Sequence, residues 1–520
     1  MQTQSPESAI PESTLTAHQL SSAETPQHLI TQAIPEQIVK SEKVVKPAKK
    51  VYLETMGCQM NLNDSELMLG LLAKEGFVQV KDWQAADLLI MNTCQIRGAA
   101  EDKAYSHLGV WGKRKAKNPH LKIAMAGCVA QQTKKAVFER APYVDIVFGT
   151  QNIHELPGLV RDAFSGNNRV LAVNRQKART TYDYLTDITP MRDSDISAWV
   201  TIIEGCDYFC TYCVVPYTRG RQISRSPESV LREVFTLAEH GFKEITLLGQ
   251  TVDAYGKDFS NRAYGLANLL TDISAVNGIE RIRFMTSHPL DLTDDIIDAV
   301  AQLPKVMEYI HIPMQAGDNT ILERMKRGYT AEQYYALVEK IVKKVPDVAV
   351  SGDYIVGFPG ETDAQFQRTV DSVSRSGIHL ANTAIYSPRK QTPAGIWENR
   401  GQKIETAVKQ DRLQRLNTAI GQQSHQINKG YLGQAVEVLV EGPSKRNSQR
   451  LTGRTRNNKV VNFSSPFSEA QLVGQRVLVT VTEAFPFSMT GTMCQTELQP
   501  FLTLAPGHDS SSFKSLSFKP

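Results

Sequence analysis

Long apolar runs are missing from this chain. Nothing in its 520 residues approaches the ~18 consecutive apolar residues of a membrane-spanning helix, so no membrane partner is expected. The N-terminus, MQTQSPESAIPE, lacks a basic stretch followed by an apolar one, and no secretory signal is read there. Charge of one sign is also lacking: 58 Lys and Arg stand against 54 Asp and Glu, a net charge of +4. That balance permits a nucleic-acid partner without demanding one, so where the cations cluster matters more. Cysteine is scarce, odd in number at seven, and widely spread, which excludes a secreted disulfide scaffold and fits a reducing cytoplasm. What remains is an ordinary soluble composition, 41% apolar and 22% charged, with length for two to four domains.

Three of the cysteines sit in one short stretch, IIEGCDYFCTYCVVPYTRG, from Ile202 to Gly220. Cys206, Cys210 and Cys213 form C-x₃-C-x₂-C directly after an apolar β-like run. Three thiolates this close reach one metal centre without help from the rest of the fold. A cubane [4Fe–4S] cluster normally takes four thiolates, so three would leave one iron open to a small molecule. Zinc and buried free cysteines are the rival readings. Zinc would need a fourth ligand, and no histidine lies at zinc-finger spacing.

Residues 1–48 are rich in Ser, Thr, Gln, Pro and Glu, and are expected to be a disordered extension. From Val51 the pattern changes to strands alternating with helices, which implies a parallel sheet. VYLETMGC, DLLIMNTC and LKIAMAGC read as strands ending at Cys58, Cys94 and Cys128, and Val144–Thr150 as a fourth. Asn63, Asp64 or Ser65 is expected to cap a helix running to Gly76. The C-terminal strand ends of a parallel sheet share one edge, where ligands bind in open α/β folds. Cys58, Cys94 and Cys128 should therefore converge as a second three-thiolate site, with zinc or simple burial as the alternatives. This first domain is expected over 49–166.

Residues 192–429 read as six strand–helix units, a partial parallel barrel with its site at the C-terminal strand ends. The cysteine loop, Gln250, Ser287, His288, Gln315, Gly357–Glu361 and Tyr386 all fall at such ends. From Gly433 the runs AVEVLVEG, KVVNF and RVLVTVTEAF alternate in the manner of a small antiparallel β-barrel, expected over 432–502. Lys445, Arg446, Arg450, Arg454, Arg456 and Lys459 lie there with no acid among them, an electrostatic footprint for phosphates. A solvated basic hairpin would look the same. Cys494 is read as an inert thiol and 503–520 as a disordered tail.

The fold class is thus α/β, with a small β-barrel appended. With Tyr212 before its last cysteine, the C-x₃-C-x₂-C loop resembles that of radical S-adenosylmethionine (SAM) enzymes. CVVPYTRG, ETMGCQMN, NTCQIR, LLGQTVDAYG, RFMTSHPLD, HIPMQAGDNTIL, DYIVGFPGET and YSPRKQTPAG resemble one subgroup, the methylthiotransferases. The resemblance spans residues 51 to about 502 and includes the order of parts, ending in a TRAM RNA-binding barrel. It implies two [4Fe–4S] clusters and SAM. Cys206, Cys210 and Cys213 would hold the SAM-binding cluster, and Cys58, Cys94 and Cys128 an auxiliary one that supplies methylated sulfur. A radical made from SAM would take hydrogen from adenine C2 of an N6-isopentenyladenosine beside the tRNA anticodon.

By the same resemblance, Tyr212 would pack against the adenine of SAM. Gly249 and Gln250 stand where the superfamily has a Gly-Gly-Glu-like motif, so a neutral amide would replace the carboxylate. Arg219 and Arg221 would meet phosphates or the SAM carboxylate. No catalytic residue is assigned beyond the cluster ligands. The partners implied are the anticodon stem-loop of tRNA and a flavodoxin- or ferredoxin-type electron donor, with the protein a monomer. Related enzymes act on threonylcarbamoyl-adenosine or on a ribosomal-protein aspartate. A zinc-stabilised RNA-binding module is the rival outside the class.

Overall fold

A computed structural model describes residues 48–95, 98–167, 169–174, 188–389 and 391–494. The expected extension up to residue 47, residues 495–502 and the tail beyond lie outside them. Six strands come first: β1 (Lys49–Met56), β2 (Phe77–Gln79), β3 (Leu88–Thr93), β4 (Lys122–Ala126), β5 (Ile146–Phe148) and β6 (Val170–Ala172). They form one parallel sheet in the order β2-β1-β3-β4-β5-β6. Leu88 and Ile90 pack with Leu67, Leu72 and Leu156 on one face, while Leu89 and Met91 pack with Leu108 and Trp111 on the other. Burial of both faces is what a parallel sheet needs. The four expected strands appear as β1, β3, β4 and β5. The three-residue β2 and β6 were not expected, because so short a run carries no periodicity to read.

One local expectation fails instructively. The first helix runs Gln59–Lys74, starting right after Cys58, so Asn63, Asp64 and Ser65 lie inside it rather than capping it. They are buried, and their partners are distant in sequence. Asn63 Nδ2 donates to Thr201 Oγ1 at 3.1 Å, and Asp64 takes a hydrogen bond from Arg219. Glu66 beside them pairs with Arg192, which also bonds Glu233 and the Trp199 carbonyl. This helix face is a polar seam against the next part of the chain.

That part contains β7 (Ser197–Thr201), β8 (Ile203–Glu204), β9 (Ile223–Ser224), β10 (Glu244–Leu248), β11 (Arg281–Phe284), β12 (Tyr309–His311), β13 (Ala349–Val356) and β14 (Leu380–Ile385). The six expected parallel strands are β7 and β10–β14, each followed by helix before the next. They form two three-stranded sheets, β11-β10-β7 and β12-β13-β14, linked by a bridge between Ile282 and Val306. The result is a half-barrel. Ile245, Leu247, Ile282 and Phe284 pack in its core with Leu269, Leu270 and Ile297 of the helices. The antiparallel pair β8–β9 clamps the two ends of the cysteine loop together.

The helix Thr406–Lys429 leads to a closed barrel of β15 (Ala435–Ser444), β16 (Asn447–Thr455), β17 (Val460–Ser464), β18 (Arg476–Ala484) and β19 (Met489–Met493), in the order β15-β16-β17-β19-β18. Strands β16 and β19 were not expected. β16 is the basic run itself, whose polar residues hide its alternation. The turn after β16 docks on the N-terminal end of the half-barrel. Arg281 donates to the Arg454 carbonyl at 2.8 Å, and Arg283 to the Thr455 and Arg456 carbonyls at 2.8 and 2.7 Å. Among the described residues, no helix is long and apolar enough to cross a membrane.

The joint between half-barrel and β-barrel carries an acid-sensitive group. His379 Nδ1 accepts the Val350 N–H at 3.2 Å, and Ser424 at the end of the connecting helix bonds the His379 carbonyl. Burial, aided by the charge of Lys459, lowers its pKa from 6.5 to about 3. A base whose folded pKa is depressed contributes stability above its unfolded pKa and loses it as pH falls through that value. Below pH 6.5 the protein should lose stability with a slope approaching about 1.4 kcal/mol per pH unit from this residue. Urea melts between pH 7 and 5 should show that slope flattened in His379→Gln. Parallel slopes in the two proteins would refute it.

Candidate functional site

The N-terminal cysteines leave the sheet at one level. Met56 pairs with Thr93, and Thr93 bridges Gly127, so Cys58, Cys94 and Cys128 follow on adjacent strands. Glycine makes the approach possible. A Cβ on Gly57 would stand 2.8 Å from the Cβ of Cys94, and one on Gly127, at φ +88°, would stand 2.3 Å from the Thr93 carbonyl. Cys58 caps the helix Gln59–Lys74, and its thiol donates to Asn61 Oδ1 at 3.3 Å. Asn61 and Asn92, both fully buried, bond each other and brace the helix start against β3. A hydrogen bond with Cys94, and behind it the Arg219 charge, lower the Cys58 thiol to about 6 against the opposing effect of burial. Burial instead raises Cys128, which bonds Thr218.

The second group lies in the loop between β8 and β9. Gly205, at φ +80°, turns the chain into it; a Cβ there would meet the Arg221 carbonyl at 2.1 Å. Cys206 Sγ is 3.4 Å from Thr251 Oγ1, and Arg327 donates to Cys210 Sγ at 3.5 Å. Burial pushes the Cys213 thiol up to about 12. Tyr212 packs on the core beside Arg327 and Tyr329. Gly249 lets β8 come close, since a Cβ there would lie 2.1 Å from Ile203 Cγ2. Gln250 turns inward, and its Oε1 accepts the Gly205 N–H at 2.5 Å. The amide that stands in place of the superfamily's carboxylate therefore holds the cysteine loop through its oxygen.

Around this loop, polar groups are left waiting. Ser287 Oγ, His288 Nε2 and Gln315 Oε1 are buried without a hydrogen-bond partner at the strand ends. Thr286 and Gln315 hold φ of +76° and +72°, conformations that cost non-glycine residues energy and gather at functional sites. His288 stacks on Tyr208 with ring centroids 3.9 Å apart, and Tyr208 donates to Asp291 at 2.8 Å. Sequence alone singled out neither Tyr208 nor Arg327. An aromatic between two clustered cysteines was the available signal for the first, and Arg327 had none.

The two cysteine groups meet across one seam. Thr150 and Gln151, which follow β5, donate to the carbonyls of Thr218 and Arg219 at 3.0 and 2.9 Å. Arg219 was expected at a phosphate or at the SAM carboxylate. Instead it is 4% exposed, 2.5 Å from Asp64 and 3.5 Å from Glu204. Arg221 is exposed and forks onto Asp207. None of the seven cysteines is in a disulfide. The donor chemistry of each group, three thiols with a cation close by, fits an iron–sulfur cluster better than it fits a closed four-ligand zinc site.

Of the six basic residues, Lys445 and Arg446 are exposed at the β15–β16 turn, with Arg450 half-buried beyond them. The other three serve contacts within the chain. Arg454 pairs with Glu441 at 3.0 Å, Arg456 with Glu308 at 2.6 Å, and Lys459 donates to Asn428 at 2.8 Å.

A half-barrel carrying a three-cysteine loop at its C-terminal edge defines a radical SAM enzyme, and residues 200–373 match the Radical SAM superfamily. Residues 50–149 match the uncharacterized protein family UPF0004, and 429–494 match the TRAM domain. The solved structures of the radical SAM methyltransferase TsrM from Kitasatospora setae share the fold. One, with cobalamin and a [4Fe-4S] cluster bound, has TM-score 0.50 and 16% identity over 67% of this chain and 77% of that one; the other, with tryptophan and aza-SAM, has TM-score 0.51 and 16% identity over 68% and 76%. The tRNA-2-methylthio-N(6)-dimethylallyladenosine synthase of Bacillus mycoides (strain KBAB4) is 43% identical over 87% of both chains. That of Thermoanaerobacter pseudethanolicus is 42% identical over 88% of this chain and 98% of its own. The chain belongs to this family of tRNA methylthiotransferases, which brings with it SAM and a [4Fe–4S] cluster.

Proposed function

We propose that this protein converts N6-isopentenyladenosine beside the anticodon of tRNA to its 2-methylthio derivative, using a second, auxiliary [4Fe–4S] cluster. The observation that carries this reading is the meeting of two three-cysteine groups across one seam. Cys206, Cys210 and Cys213 would hold the cluster that binds SAM, and Cys58, Cys94 and Cys128 the auxiliary one. When bound, the first supplies the electron that cleaves SAM, and the second carries the sulfur.

The chain's own residues bind and orient. Arg327 keeps positive charge against Cys210. Ser287, His288 and Gln315 offer unpaired polar atoms to SAM or the substrate base. Tyr212 would wall the SAM pocket, Gly249 lets β8 come close beneath it, and Gln250 fixes the loop at Gly205. Of the six basic residues of the β-barrel, Lys445, Arg446 and Arg450 would reach tRNA phosphates. Arg454, Arg456 and Lys459 would support that surface from behind. A flavodoxin or ferredoxin would deliver the electron to a monomer in the cytoplasm.

The test is direct. Anaerobically reconstituted protein is given SAM, reductant and tRNA bearing N6-isopentenyladenosine. Digestion and mass spectrometry should show hydrogen on the base replaced by a methylthio group. Unmodified base together with turnover on a threonylcarbamoyl-adenosine tRNA would overturn the substrate assignment.

A further inference from the structure

Arg219 belongs to the cysteine loop of the half-barrel, yet its side chain serves the other cysteine group. Its guanidinium lies 2.5 Å from Asp64, one turn and a half into the helix that Cys58 caps, and 3.5 Å from Glu204, just before the loop. All three are nearly inaccessible, with side chains 3–5% exposed. Its neighbours complete a strap. The Gly220 carbonyl accepts the Cys206 N–H at 3.2 Å, the Arg219 carbonyl accepts from Gln151, and the Thr218 carbonyl accepts from Thr150. Three consecutive residues, 218–220, therefore tie the loop of Cys206 to the N-terminal sheet, and Arg219 is the one among them that brings charge.

We propose that Arg219 is the positioning and charge-setting residue of the N-terminal cluster, balanced against Asp64, so that this pair fixes both the seat of that cluster and its reduction potential. The inference rests on the auxiliary-cluster reading above. The physical argument is electrostatic. A cluster held by three thiolates becomes more negative on reduction, and a buried cation beside it stabilises the reduced form. Arg219 stands buried at the seam, on Asp64 of the helix that Cys58 caps, with its carbonyl held by Gln151 from the loop after β5. Asp64, in that same helix and facing Arg219, brings the opposite charge. Opposite charges at one seam predict opposite shifts, which a purely structural role would not produce.

The test uses the full chain with Cys206→Ala, Cys210→Ala and Cys213→Ala, so that only the N-terminal site loads, reconstituted and titrated electrochemically with EPR detection. In that background, Arg219→Gln should keep about four irons per chain. Its reduced-to-oxidised ratio at the reference midpoint should fall about tenfold, a potential lower by about 59 mV for one electron. Asp64→Asn should shift the ratio the other way, and Arg219→Lys should restore most of the reference value. If Arg219→Gln fails to fold, by circular dichroism, Asp64→Asn decides the matter. A midpoint of folded Asp64→Asn that coincides with the reference would overturn the proposal and leave the auxiliary cluster standing. A reference protein that binds no iron would overturn the auxiliary cluster itself, and this inference with it.

Discussion

Replacing Cys58, Cys94 and Cys128 together by alanine should halve the iron, from about eight to about four per chain, and abolish methylthio product. SAM cleavage should survive, because Cys206, Cys210 and Cys213 sit in a loop clamped independently by β8–β9 and held by Gln250 and Arg327. The fold should survive as well. Cys94 and Cys128 are buried, but alanine removes only a sulfur from each, a loss within the ordinary range for small core truncations. The converse variant, Cys206→Ala, Cys210→Ala and Cys213→Ala, should also retain about four irons, yet cleave no SAM. The split of iron from SAM cleavage is what assigns one site to each group. If the first variant kept all its iron, or if the unaltered protein held only about four, the N-terminal cysteines would be structural and the sulfur would have to come from elsewhere.

That assignment was open to sequence reasoning because the relevant information is local. C-x₃-C-x₂-C is eight residues long, and strand-terminal cysteines can be placed once strands and a parallel sheet are recognised. What escaped is long-range. Asn63, Asp64 and Ser65 look like helix caps because short polar residues favour that role. They are buried in mid-helix because Thr201 and Arg219, 138 and 155 residues away from Asn63 and Asp64, give two of them partners. Arg219 and Arg221 stand one residue apart in sequence and look interchangeable. Burial separates them: one closes the seam, the other forks onto an exposed Asp207. Cation clusters mislead in the same way. Arg456 and Lys459 were read as a phosphate footprint, but a half-barrel end presenting Glu308 and a helix presenting Asn428 occupy them first. Charge patterns record what a residue can do, and the fold decides which partner arrives.

The docking of the small barrel supplies the largest stability effect. Arg283 is 4% exposed and is the third residue of β11. It bonds Glu244 at 3.0 Å within the half-barrel and the Thr455 and Arg456 carbonyls across the joint. Arg283→Met keeps much of the volume but strands Glu244 in a buried place. Breaking a buried ion pair from one side costs about 3–5 kcal/mol, because the remaining charge is left uncompensated. Arg281 lies 3.9 Å from Glu244 and relieves only part of this, since it is already committed to Glu437 and the Arg454 carbonyl. Urea unfolding of Arg283→Met should therefore show a loss of about 3–5 kcal/mol. The β-barrel, with its own apolar core around Val438, Val479 and Phe463, should unfold in a transition separate from the half-barrel. The double variant Arg283→Met with Glu244→Gln should recover much of the loss, since no charge then remains unpaired. Recovery would show that the cost lies in the stranded carboxylate. A double variant as unstable as the single one would move the cost to the two carbonyls of the β16–β17 turn, and the joint would be held by backbone hydrogen bonds rather than by charge.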